Sequence, residues 1–121
     1  MMPVKENQVQ YVIEMSISPG KVHEFKKLAQ DAIDFAMTKS NVIGYRWYFN
    51  DDESKCYLLE QYPDSSALLP HLDGVSQILQ KLLEVSKITR FEVFGNIGPK
   101  EMKALSGVGA KNFERWNGFV R

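Results

Sequence analysis

Glu60 and His71 are the side chains of this sequence best placed for acid–base chemistry. Both lie in the stretch YLLEQYPDSSALLPHL at residues 57–72. A histidine with its ordinary pKa near ~6.5 can take a proton from a weak acid such as a phenol close to neutral pH. A carboxylate bonded to the ring would fix its tautomer and raise its basicity. Strand parity puts Glu60 on the face of Cys56, Leu58 and Tyr62, and the turn at Pro63 and Asp64 can fold His71 back towards it. Each residue also has a plainer reading. His71 can close a helical turn after Pro70 and bond a backbone carbonyl, and Glu60 can pair with Arg46 or Arg90 across a sheet. Tyr11, Tyr45, Trp47 and Tyr57 could wall a pocket for a flat molecule, or serve as ordinary strand core. Arg46 could stabilise a bound anion or be a surface charge.

Other chemistries lack their signals. There is no glycine-rich phosphate loop, no GxSxG and no dinucleotide fingerprint. One cysteine and two distant histidines argue against a structural zinc site, so neither metal nor cofactor is expected. The lone Cys56 excludes an intrachain disulfide and reads as a small buried apolar group in a reducing interior. His23, beside Lys21 and Glu24, reads as solvated. Fifteen basic residues balance fifteen acidic ones, so no net field favours nucleic acid or an anionic membrane. The opening MMPVKENQ is polar with no apolar signal core after it, and no run approaches the ~20 apolar residues that span a bilayer. A cytoplasmic location is the expectation.

The elements that must position these residues follow from period and punctuation. Val9, Tyr11, Ile13, Met15 and Ile17 alternate with mostly polar neighbours as a first strand. Ser18 as cap and Pro19 at the first helical position predict a helix over residues 19–39, with Val22, Phe25, Leu28, Ala29 and Ala32 on its stripe. Residues 43–49 and 55–62, joined by the polar turn NDDES, predict an antiparallel hairpin. A helical region over 65–86 is expected to be broken by Pro70 and Gly74, and a fourth strand follows at 87–94. The order β-α-β-β-α-β predicts an α+β, ferredoxin-like fold with an antiparallel four-stranded sheet over residues 1–95. Residues 96–121 form an extension in which Pro99 opens a short helix. Phe113, Trp116 and Phe119 there are expected to pack on the domain or on a partner subunit. Large apolar groups on both strand faces suggest that the bare sheet face meets a second copy, most simply in a two-fold homodimer.

Over residues 9–94 the element order, with SPGKVHEF, GYRWYF and YLLEQYPDSSALLPHL, resembles the antibiotic biosynthesis monooxygenase domains of the dimeric α/β-barrel superfamily. Glu60, Tyr62, the Asp64 turn, Ala67 and the pair His71–Leu72 carry the most specific part of the likeness. The resemblance implies a homodimer with a cleft in each subunit between sheet and helices, binding a small aromatic molecule. It also implies cofactor-free oxygenation of quinol- or anthrone-like compounds, and a histidine near the cleft at the position of His71. The alternative within the same superfamily is a non-catalytic ligand-binding or assembly module. Haem degradation is disfavoured, because no histidine follows His71 in the second helical region and the first strand holds no asparagine.

Overall fold

The computed structural model of the protein describes residues 2–3 and 8–121. Met1 and residues 4–7, part of the polar opening read above, lie outside the described residues. The main elements are β2 (Val9–Ile17), α1 (Val22–Lys39), β3 (Gly44–Phe49), β4 (Lys55–Tyr62), α2 (Leu68–Leu82), β5 (Ser86–Gly95), α3 (Pro99–Ser106) and β6 (Lys111–Phe113). A short ribbon pairs β1 (Met2–Pro3) with β7 (Phe119–Val120). The large sheet has the order β3-β4-β2-β5-β6 and is antiparallel apart from β6, which runs parallel to β5. The four strands expected from the sequence are present, and the extension adds a fifth.

The core lies on one face of this sheet. All five odd-numbered residues of β2 from Val9 to Ile17 are buried, so the period-2 pattern has a single apolar face. Helix α1 buries Phe25, Ala29, Ala32 and Ala36, spaced to form one stripe, and they join Leu58, Leu68 and Leu82 against the strands. The small residues on α1 let the two helices lie close together.

Two local expectations are corrected. Helix α1 begins at Val22 rather than at Pro19, and no side chain caps it. Gly20 takes φ +78, which no helix accommodates, and Lys21 N–H closes a turn onto the Ser18 carbonyl at 3.0 Å. Helix α2 is not broken: a 3₁₀ turn, Ser65–Ala67, capped by Asp64 through Ala67 N–H, leads straight into it. Pro70 sits in the first turn, where its missing N–H leaves no bond unmade. Gly74 is tolerated because α1 needs the space, since a Cβ there would come within 2.0 Å of Phe35 Cζ. In the single subunit Phe113, Trp116 and Phe119 are exposed, Trp116 at 95%, and the Phe113 ring stacks on Phe94 at 5.7 Å. Among the described residues of the extension Leu105 and Ala110 are buried, and Asn112 Nδ2 ties β6 to the Val93 and Gly95 carbonyls.

Gly74→Ala should therefore destabilise the protein by about 1–3 kcal/mol through overpacking. Phe35→Leu should recover part of that loss in the double variant. Urea denaturation checks both, and an alanine variant as stable as the parent would contradict the close approach.

Candidate functional site

The register of the sheet builds the site. Glu60 of β4 stands opposite Tyr11 of β2 on one side and Tyr45 of β3 on the other, and all three point to the core face. His71 arrives from the first turns of α2 and is only 2% exposed, while Glu60 is 4% exposed. His71 Nε2 lies 3.4 Å from Glu60 Oε1. Tyr62 donates its hydroxyl proton to the same oxygen at 2.6 Å, so the hydroxyl pair of Tyr11 and Tyr62, 2.7 Å apart, is completed by Tyr11 donating to Tyr62. The rings of Tyr45, Tyr62 and Phe35 surround the imidazole at centroid distances of 5.4, 5.8 and 6.0 Å.

Ser40 completes the arrangement and was not legible in the sequence. It ends α1, and its Oγ lies 2.9 Å from His71 Nδ1 while accepting the Val42 N–H at 3.2 Å. A serine closing a helix is too common to single out. Only the crossing of α1 over α2 brings it to the ring. Two proton arrangements satisfy this chain. In one, Glu60 is ionised, Nε2 carries the imidazole proton and Ser40 donates to Nδ1. In the other, Glu60 is protonated towards Nε2 and Nδ1–H donates to Ser40. The two arrangements differ by one proton, taken up by the carboxyl, while the imidazole stays neutral and switches tautomer.

Burial sets the electrostatics. It raises the Glu60 carboxyl to about 7, against the opposing pull of the Tyr62 and Tyr11 hydroxyls, and lowers the His71 imidazole to about 4. Near neutral pH the imidazole is therefore uncharged and the carboxyl is poised to gain or lose a proton. The same burial, with the Glu60 charge beside them, holds Tyr11, Tyr45 and Tyr62 well above the usual phenol range.

These groups border a cavity of about 350 Å³ between the sheet and α2. Tyr11, Tyr45, Trp47, Glu60 and His71 all line it. Trp47 is held edge-on by Phe25 and Tyr45, and its buried Nε1–H has no hydrogen-bond partner among the described residues. Tyr57 and Arg46, read from the sequence as ligand contacts, do not line it. Strand parity turns both to the opposite face, where Tyr57 donates to Glu14 and Arg46 is exposed beside Leu59. Neither sequence-based pairing of Glu60 with an arginine occurs, because Arg90 binds Glu92 and Arg46 is on the far face. Cys56 is fully buried and its thiol is pushed up to about 12 by burial, which leaves it unreactive.

The opposite shifts of the pair give stability a testable pH signature. Unfolded Glu60 ionises near 4.5 and folded Glu60 near 7, so its contribution is full below about 4.5 and is lost as pH rises to about 7. His71 contributes fully above about 6.5, and its contribution is lost as pH falls towards 4. The two slopes oppose each other in between. Relative to a Glu60→Gln variant, the native protein should gain on the order of 3 kcal/mol as pH falls from 7 to 4.5. Denaturant titrations of both proteins at the two pH values measure it, and a difference independent of pH would contradict the raised carboxyl.

Comparison with known proteins agrees with this architecture. No family model and no curated protein sequence matches the chain. Among solved structures, MupZ from Pseudomonas fluorescens superposes with a TM-score of 0.82 at 21% identity, covering 95% of each chain. SnoaB, a cofactor-independent oxygenase from Streptomyces nogalater, gives 0.65 at 15% identity over 76% of this chain and 95% of its own. A Nitrosomonas europaea protein provisionally called an antibiotic biosynthesis monooxygenase gives 0.66 at 11% over 78% and 95%. The match to MupZ extends through most of the extension, whereas the other two cover about three-quarters of the chain. At these identities the likeness is one of fold, and the chain has the ferredoxin-like α+β fold of the antibiotic biosynthesis monooxygenase domains.

Proposed function

We propose that the protein binds a small, apolar aromatic molecule bearing a weakly acidic proton, and that Glu60 and His71 remove that proton in a cofactor-independent oxygenation. The observation that carries this reading is a carboxyl raised to about 7 in the wall of a largely apolar cavity, 3.4 Å from a neutral imidazole. A base is most effective when its pKa lies near the working pH, and Glu60 is the group so placed. His71 stands against that carboxylate as an uncharged ring, with Ser40 behind it.

In an anthrone-like substrate, removal of the acidic proton gives an electron-rich anion that passes one electron to dioxygen. Recombination of the two radicals forms a carbon–oxygen bond and a peroxide. Loss of the second C–H proton and of the distal oxygen, which leaves as water with the proton held by the pair, produces a carbonyl. A CH₂ group and O₂ thus become C=O and H₂O, with dioxygen the oxidant. The apolar walls exclude water and favour the dispersed charge of the anion. The cytoplasm, where Cys56 stays reduced, is the proposed location. The proposed assembly is a homodimer across the outer sheet face, which carries the half-buried Val12, Tyr57 and Leu59 with exposed Tyr48 and Phe94.

Oxygen consumption with a panel of anthrones and naphthohydroquinones tests the reading. Glu60→Gln and His71→Ala should each lower the rate by roughly a hundredfold or more while remaining folded. Wild-type protein inert across the panel, with variants that merely melt earlier, would favour a binding module without catalysis.

A further inference from the structure

The cavity has two chemically different ends. Around Glu60 its walls are the rings of Tyr11, Tyr45 and Trp47. Elsewhere they are aliphatic, with Val75, Ile78, Leu79 and Leu82 from α2 facing Leu105 from α3. The extension is thus part of the site. It is fixed there at its start, because Ser65 Oγ accepts the Gly98 N–H at 2.8 Å and donates to Glu101 at 3.1 Å. Leu105 is 1% exposed, yet Leu83 and Val108 border the same cavity and are each 39% exposed. The opening therefore lies where α2 ends and the chain leaves α3, with the exposed Ser76 and Gln80 as its polar lining. A single ring at Glu60 would leave the aliphatic part empty.

We propose that the ligand is amphipathic: a hydroxylated ring seated at Glu60, carrying an alkyl tail that runs between α2 and α3 towards Leu83 and Val108. The C-terminal extension then selects tail length. The ring end of this assignment rests on the acid–base reading of Glu60, whereas the tail end rests on the lining of the cavity alone.

Calorimetric titration with 4-alkylphenols, from ethyl to heptyl, tests it. Affinity should rise about fourfold per methylene until the tail reaches the opening. Val108→Asp and Leu83→Asp, both at exposed positions, should each weaken 4-heptylphenol at least tenfold while leaving 4-ethylphenol within twofold. Failure of the whole series to bind, affinity that ignores chain length, or equal weakening of both probes would overturn the proposal. The gradient should persist in Glu60→Gln. A loss of oxygenation without a loss of the gradient would therefore count against the reaction and not against the tail.

Discussion

One buried carboxyl governs this structure. Glu60 lies among aromatic and aliphatic side chains where an isolated charge would be costly, and it is tolerated because Tyr62 and His71 meet the same oxygen. This also constrains the sheet. Tyr11 and Tyr45 are its cross-strand neighbours, so a slip of β4 by one residue would carry Glu60 to the outer face and bring Leu59 and Gln61 inward. Pairing of the strands and assembly of the polar cluster are therefore one event.

The helices serve the same cluster from the other side. His71 can enter only if α2 runs unbroken past Pro70 and lies close to α1, and the missing side chain at Gly74 permits that approach against Phe35. The crossing then delivers Ser40 to the far nitrogen of the ring. Ser40, His71, Glu60, Tyr62 and Tyr11 form a continuous polar row from the end of α1 into the sheet, hydrogen-bonded at either end with His71 and Glu60 3.4 Å apart between. The extension closes the apolar part of the cavity that this row borders.

Much of this was legible from local pattern. Alternation on β2 and β4 gave both the strands and the shared face of Glu60, Leu58 and Tyr62, and parity correctly paired Tyr45 with Trp47. Parity also separates Tyr57 from Tyr45, since Tyr57 pairs with Tyr48 and Leu59 with Arg46 on the outer face. Helix breakers misled where tertiary position overrode propensity, at Pro70 in a first turn and at Gly74 beneath a ring. Ser40 and Leu105 could not be found from spacing, because their roles arise from how distant segments cross.

The central claim is that burial leaves Glu60 half-protonated near neutrality beside an uncharged His71. Carbon-detected NMR of the Glu60 side-chain carboxyl across pH, assigned by its loss in Glu60→Gln, tests this most directly. The account predicts a midpoint near 7 with the His71 ring neutral throughout that transition. A midpoint near the ordinary 4.5, or a His71 ring that charges near 6.5, would contradict it.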